Sequence, residues 1–221
     1  PERFWLWALA LTIDVATPLL TTSHLVSVPH DPAHLPERYG LFSIILLGES
    51  MVAVMTGMGH QEYWSVDAAL SAILGMVLVF AIWWWYFDGV EAVGERMLRS
   101  RRDAIRFQIW SYAHIPMYLG IAVAGVGVEH VIVRSTEAPL HTAEGWILCS
   151  AIATLMSALI VIDMTRHRGS FFSQIPRVLG PSLMIGLTLC LGVTADRIMP
   201  SVLLCGLTLL CAGQLTRSLQ R

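Results

Sequence analysis

Residues 80–88 read FAIWWWYFD and end a long apolar run that begins near Ala68. Further apolar runs of similar length follow one another from one end of the chain to the other. A membrane helix needs about 20 predominantly apolar residues to cross about 30 Å of hydrocarbon. A soluble domain of 221 residues would not repeat this pattern along its whole length. The sequence therefore predicts an integral membrane protein, whose function depends on the few polar groups that it holds inside the membrane.

The composition agrees with this prediction, because 55% of the residues are hydrophobic, 14% are charged and the mean hydropathy is +0.63. All fourteen basic residues are arginine. The absence of lysine excludes a retinal Schiff base, covalent catalysis by lysine and a P-loop ATP site within this chain. No basic stripe with interleaved aromatic residues suggests nucleic acid. The partners that we expect are the lipid bilayer and either other membrane subunits or a second copy, with a small ion or solute that the sequence does not identify.

No sequence motif indicates a catalytic or cofactor site. The four cysteines lie inside apolar runs, where a thiol behaves as a small hydrophobic group, and their spacing offers no disulfide or metal framework. A nucleophile–base pair, a glycine-rich phosphate loop and a CxxCH haem motif are all absent. We therefore expect no cofactor and no enzymatic chemistry in this chain.

Seven apolar segments can be distinguished, and they predict an all-α fold, since lipid provides no partner for unpaired backbone groups. They cover residues 4–20, 39–58, 68–87, 107–128, 145–162, 178–193 and 199–215. The last two are short and should end in the interface or where the bilayer is thin. We interpret residues 1–221 as one transmembrane helical domain with about seven spans. Because the first residue is Pro1 and not Met, we expect it to be part of a longer protein.

The distribution of arginine orients the seven segments. Eleven of the fourteen arginines, Arg38 among them, fall on one side of the predicted membrane, and Arg3, Arg134 and Arg197 fall on the other. The positive-inside rule makes the arginine-rich side cytoplasmic. An N-terminus outside and a cytoplasmic C-terminus follow from an odd number of spans.

Glu49 is the first candidate for a functional residue. It lies near the bilayer midplane, where an ionised carboxylate costs a few kcal/mol and must be protonated, paired or in contact with water. Asp14 lies at a similar predicted depth in the first segment. Two carboxylates on adjacent helices could share a proton or a cation. The alternative is that each is a protonated or hydrogen-bonded acid that specifies helix packing.

His114 is a third candidate, two residues before Pro116 in the fourth segment. Pro116 has no N–H and leaves the carbonyl group of Tyr112 without its helical donor. A histidine near the polar notch that this unpaired carbonyl group forms could relay protons or bind a ligand. It could equally be a neutral core imidazole bonded to a backbone carbonyl. Because burying three ionisable groups separately costs more than letting them share partners, we expect Glu49, Asp14 and His114 to face one polar pocket.

Three further sets of residues have simpler interpretations. Asp88 and Asp163 end the third and fifth segments, close to loop arginines, and are expected to be interfacial ion-pair partners. His30, Asp31 and His34 provide enough ligand chemistry for a divalent ion, but their spacing matches no closed four-ligand template. We therefore predict no metal site, with these three residues as the weak candidates. Small residues of the fourth segment, including Gly120, Gly125 and Gly127, are expected to allow close helix packing.

The stretch HLPERYGLFSIILLGESMVAV at residues 34–54 resembles the signature of the bacterial low-temperature-requirement A (LtrA) family. WWWYFD at residues 83–88 and YAHIPMYLG at 112–120 are similar to two further blocks of that pattern, in the same order. The opening FWLWALALTIDVATPLL is similar too, whereas the second half matches only in its helix pattern. The positions that match the polar pattern of the family are Glu37, Arg38, Glu49, Asp88 and His114.

The resemblance implies a polytopic protein of the bacterial inner membrane, whose biochemical activity is not established for the family. Members usually carry an earlier block with an FFDL-type motif and further helices, which this sequence does not contain. The resemblance therefore implies the C-terminal part of a longer protein, or a shortened relative.

Two functions remain open on the sequence. The first is a transport or proton- or cation-linked function centred on Glu49, with Asp14, His114, Asp88 and Arg38 as further candidate site residues. The second is a non-catalytic structural or assembly subunit of a larger membrane complex, which the absence of catalytic motifs and the short terminal helices favour. A sensory seven-helix bundle is supported by the helix count alone.

Overall fold

A computed structural model describes residues 2–20, 34–61, 63, 65–90, 100–134, 140–166 and 171–219. Its regular secondary structure in these ranges is entirely α-helical, as the apolar segments predict. The helices are α1 (Glu2–Leu20), α2 (His34–Gly59), α3 (Val66–Val90), α4 (Arg101–Arg134), α5 (Thr142–Arg166), α6 (Phe171–Thr194) and α7 (Pro200–Leu219). Each of the seven predicted segments corresponds to one helix, so the predicted fold class is confirmed.

Four of the described helices are long and apolar enough to cross a membrane, namely α2, α3, α4 and α5. The apolar parts of α6 and α7 are shorter, at Val178–Thr194 and Pro200–Gln214, as the sequence predicts. α1 is shorter than these four helices, with 19 residues. A polytopic membrane protein with about seven spans agrees with this pattern. α4 has 34 residues and extends beyond the predicted apolar segment at both ends.

The starts of three helices are defined by side-chain caps. Ser65 Oγ accepts a hydrogen bond from the backbone N–H of Ala68 at the start of α3 (3.0 Å), and Ser100 Oγ accepts one from the N–H of Asp103 at the start of α4 (3.2 Å). Glu144 accepts from the N–H of His141 before α5 (3.2 Å). These bonds satisfy donors that a helix leaves unpaired in its first turn.

α4 is the centre of the bundle. It packs against α5 and α2, and more lightly against α3, while α3 also packs against α7 and α5 against α6. A Cβ atom at Gly120 would lie 2.9 Å from Leu155 Cβ of α5, and one at Gly125 would lie 3.0 Å from Ser50 Oγ of α2. The absence of a side chain therefore lets α4 approach both neighbours closely, which confirms the predicted packing role of these glycines.

α1 is attached differently from the other helices. Its described side chains are exposed, apart from the half-buried Ala16.

The four cysteines are free; Cys149 and Cys211 are buried as predicted, whereas Cys190 is exposed on the outside of α6. An exposed cysteine on an apolar helix is compatible with lipid contact, because a thiol behaves as a small hydrophobic group.

Candidate functional site

A cavity of about 390 Å³ lies between α1, α2 and α4. Its polar lining groups come from Asp14, Tyr39, Gln108, Ser111 and Tyr112, and its apolar walls from residues of the same three helices. Sites for small molecules commonly have volumes of about 300–1,000 Å³ and a few polar groups that converge on an apolar interior. The cavity therefore has the size and composition of a small-ligand site.

Two hydrogen bonds from α4 hold α1 over this cavity. The Tyr112 hydroxyl donates to the backbone carbonyl of Val15 (2.6 Å), and Gln108 Nε2 donates to the carbonyl of Pro18. Pro18 has no N–H, so it cannot donate to the carbonyl of Asp14 one helical turn earlier. The Asp14 carboxylate itself makes no hydrogen bond or ion pair with the part of the chain that the structure describes. It is available to a ligand or to water.

His114 lies behind the cavity wall and is fully buried. Its Nδ1 atom is 2.8 Å from the carbonyl oxygen of Trp110, and its Nε2 atom is 3.1 Å from the hydroxyl of Tyr86 on α3. A carbonyl oxygen can only accept, so Nδ1 carries the hydrogen, and in the neutral ring Nε2 accepts from Tyr86. The imidazole is bonded to the carbonyl of Trp110 and not placed at the notch that Pro116 leaves at Tyr112.

Tyr39 of α2 separates His114 from the cavity. The ring centroids of Tyr39 and His114 are 4.4 Å apart, and the Tyr39 hydroxyl is hydrogen-bonded to Ser111 at the cavity wall. The carbonyl oxygen of Tyr39 accepts hydrogen bonds from Ser43 (2.8 Å) and from Tyr118 (2.9 Å). Together with the bond between Tyr86 and His114, these contacts connect α2, α3 and α4 through one set of rings and hydroxyls, which should keep the wall of the cavity in a single geometry.

A family model described as "Bacterial low temperature requirement A protein (LtrA)" matches residues 1–212. The chain belongs to the LtrA family. The sequence resemblance is therefore confirmed, and it extends well beyond the three blocks in the first half. The uncharacterized protein RA0937 of Rhizobium meliloti (strain 1021) is 25% identical over 139 residues, which is 58% of this LtrA chain. This chain thus covers about a third of that relative's length (33%). No solved structure matches this chain.

Glu49 of this LtrA chain lies apart from the cavity. Its side chain is exposed, and it follows Tyr39 by ten residues on α2, which is about 15 Å along a helix axis. Ser50 occupies the inner face instead, and its hydroxyl contacts the carbonyl of Ile121 on α4 (3.4 Å). The prediction that Glu49 faces the bundle and shares a pocket with Asp14 and His114 is wrong, because Glu49 is exposed and does not line the cavity. The structure places Asp14 in the lining of the cavity and buries His114 against the ring of Tyr39, which also lines the cavity. A role for Glu49 as an ion site stays a prediction.

The remaining candidates lie near the end of the LtrA bundle where α2 begins and α3 ends. Arg38 and Asp88 are both exposed, and the Phe87 ring lies against Gly40 between these two helices. Asp88 forms no ion pair with a described residue. Of the loop arginines that follow it, Arg101, Arg102 and Arg106 form no ion pair with Asp88, and Arg96 and Arg99 lie outside the described residues.

No metal centre is visible in the described part of the LtrA chain. It contains no group of three or more His, Cys, Asp or Glu side chains that could hold a metal ion. His34 is exposed at the start of α2, and His30 and Asp31 lie outside the described residues.

Sequence reasoning missed two features. Tyr39, Gln108 and Ser111 were not identified as cavity residues, although each is a polar residue in or beside an apolar segment. At the opposite end of α4, the Glu144 carboxylate lies 3.1 Å from Arg134 Nε and 3.6 Å from His130 Nδ1. An acid in the first turn of a helix, three residues after a capping position, is a recognisable signal for the second feature.

Proposed function

We propose that this LtrA family member is a multi-pass transport protein of the bacterial inner membrane that binds a proton or another cation at Asp14. The observation that carries the proposal is the polar cavity, which is lined by Tyr39, Ser111 and Asp14, whose carboxylate has no ion-pair partner among the described residues. Ionisable groups inside membrane helices characteristically border water-filled cavities and ion pathways. This proposal moves the centre of the site from Glu49 to Asp14.

The residues around the cavity have distinct roles in this proposal. Asp14 takes up and releases the cation. His114 is a positioning residue, because hydrogen bonds at both of its ring nitrogens hold the ring against Tyr39. Tyr39 then presents its hydroxyl at the cavity wall beside Ser111. No step requires covalent chemistry.

α1 is the helix whose movement would open and close the site. It carries Asp14, and it contacts the bundle through hydrogen bonds at its last two turns while its described side chains are exposed. Elements with few buried contacts open at the lowest free-energy cost. Neutralising Asp14 with a proton or a cation would lower the cost of moving it through an apolar region. Binding and movement would thereby be coupled.

Reconstituted vesicles test the proposal. With an imposed proton or sodium gradient, vesicles that contain the parent chain should show a flux of that cation across the membrane. Asp14→Asn should abolish this flux without changing the amount of assembled protein. Asp67→Asn is the matched control, because Asp67 is an exposed carboxylate in the first turn of α3 and does not line the cavity. Normal flux by Asp14→Asn would rule out an ionisable role for Asp14.

A second function, that of an assembly subunit, is favoured by the exposure of Glu49. Its exposed neighbours on α2 include Ile45 and Val52, so the carboxyl group is set in an otherwise apolar face. Such a group in contact with lipid lacks any partner to offset its desolvation. A membrane helix of another subunit that covers Glu49 would supply one. Glu49→Leu should then lower the mass of the complex isolated in mild detergent, whereas an unchanged mass would remove this support.

A further inference from the structure

The Asp14 cavity shares part of its lining with a second, larger groove. A groove of about 860 Å³ lies between α4, α5 and α6, and it shares Val15, Gln108 and Tyr112 with the cavity. The same three residues therefore form the boundary between a polar compartment and an apolar one. A single ligand could occupy both, with a polar group on one side of this boundary and an apolar body on the other.

The lining of the groove is largely apolar, and the hydroxyls of its two serines bond to their own helix. Ser150 Oγ donates to the carbonyl of Ile147 (3.1 Å), and Ser157 Oγ donates to the carbonyl of Ala153 (2.7 Å). Hydroxyls that bond to their own helix in this way have little capacity left for a ligand. Most of the remaining lining is aliphatic, from residues such as Ile109, Val161 and Leu189.

The charged residues that line the two compartments determine whether a cation or an anion is the favoured ligand. Asp14 is the single acidic residue that lines either of them, and neither lining contains an arginine, lysine or histidine of the described chain. The Asp14 carboxylate has no ion-pair partner in that part of the chain. Tyr39, Phe107 and Tyr112 also line the polar compartment, and aromatic ring faces attract cations. An anionic ligand would meet one carboxylate and no compensating positive charge from the described residues.

Within the transport function proposed above, we infer that the ligand of this site is an amphipathic organic monocation. Its charged group lies against Asp14 in the polar compartment, and its apolar body lies in the groove between α4, α5 and α6. A small inorganic cation would leave the groove unused, and a neutral lipid chain would leave Asp14 unpaired.

Two ions of one shape and opposite charge test this inference. Tetraphenylphosphonium and tetraphenylborate each carry four phenyl groups, one as a cation and one as an anion. In equilibrium dialysis of the purified chain in a non-ionic detergent, with empty micelles as reference, the phosphonium ion should bind saturably and the borate ion should not. Asp14→Asn should weaken binding of the phosphonium ion by about tenfold or more, because it removes the charge that the cation pairs with.

Three variants complete the experiment. Asp14→Glu keeps the charge and should retain binding, while Asp67→Asn removes an exposed carboxylate outside both compartments and should leave binding unchanged. Ser157→Phe fills the groove without touching Asp14 and should weaken binding of the phosphonium ion. If Asp14→Asn does not assemble, Ser157→Phe and the borate ion still decide the result.

Equal saturable binding of both ions, or unchanged binding by Asp14→Asn, would overturn the inference. The transport proposal fails separately, because it is measured as flux. Vesicles of Asp14→Asn with normal flux would contradict transport at Asp14 even where the dialysis result supports binding of the cation.

Discussion

Tyr39 stands between His114 and the Asp14 cavity, with its ring centroid 4.4 Å from that of the imidazole and its hydroxyl bonded to Ser111. The imidazole is in turn bonded to Tyr86 on α3. A residue of the cavity wall is therefore supported by a fully buried group that no ligand in the cavity contacts directly. Substitutions of the residues that support Tyr39 should lower the stability of the bundle and, through Tyr39, alter the geometry of the site.

Tyr86→Phe should destabilise the bundle, because it removes the hydroxyl that lies 3.1 Å from His114 Nε2 in a buried environment. Losing a hydrogen bond to a buried polar group lowers the free energy of unfolding by about 1–3 kcal/mol. Denaturant or thermal unfolding in detergent measures the difference. Tyr63→Phe is the control, since Tyr63 is 82% exposed. Equal stability of the two variants would show that the Tyr86–His114 contact contributes nothing.

Gly120→Ala should loosen the contact between α4 and α5. The new Cβ atom would lie 2.9 Å from Leu155 Cβ and 3.0 Å from the carbonyl oxygen of Ala151, and the backbone atom cannot move aside without shifting a helix. Overpacking of this kind costs about 1–3 kcal/mol. Unfolding of Gly48→Ala, whose added Cβ atom would meet nothing within 4 Å, gives the matched comparison. In the isolated chain Gly48→Ala should be neutral or stabilising, because alanine is the better helix former. A Gly120→Ala variant as stable as Gly48→Ala would contradict the packing described for α4.

Ser50→Ala and Ser71→Ala should have different effects on the free energy of unfolding, although both serines are buried. Ser50 Oγ contacts the carbonyl oxygens of Leu46 (3.1 Å) and Ile121 (3.4 Å), and hydrogen bonds between membrane helices contribute about 0.6 kcal/mol on average. Ser71 Oγ has no hydrogen-bond partner among the described residues, so its burial is unfavourable. We expect a small loss of stability for Ser50→Ala and none, or a gain, for Ser71→Ala. A loss in Ser71→Ala that matches or exceeds that in Ser50→Ala would show that the Ser71 hydroxyl has a partner elsewhere.

The proposed orientation can be tested at the two ends of the α4–α5 pair. Arg102 and Thr142 are exposed in the first turns of these helices, at opposite ends of α4. In intact cells a membrane-impermeant thiol reagent should label Thr142→Cys and not Arg102→Cys, because the positive-inside rule predicts that the arginine-rich side is cytoplasmic. The parent chain, with its four free cysteines, sets the background. Labelling of both variants in intact cells would contradict the seven-span topology.

Glu49 and Ser50 illustrate how far the sequence could be interpreted by itself. The sequence predicts that both residues lie deep in one apolar helix, and the structure confirms the helix. Neighbouring residues on a helix point about 100° apart, so depth alone does not state which of the two faces a neighbouring helix. The direction is decided by the packing of α2 on α4, where Ser50 meets Gly125 and Ile121. That contact joins residues 71 positions apart in the chain, and no local pattern encodes it.

The sequence by itself determined the all-helical membrane fold, because apolar runs of spanning length pair their backbone groups in lipid by forming helices. Its ordered sequence blocks, and not these apolar runs, indicated membership of the LtrA family. The sequence also identified Asp14 and His114 as polar groups worth attention. Only the tertiary structure decided that Asp14 lines a cavity, that His114 is buried against Tyr39 and that Glu49 is exposed. The physical reason is that helix formation satisfies the backbone locally, whereas the face that each helix buries depends on close contacts with helices distant in sequence.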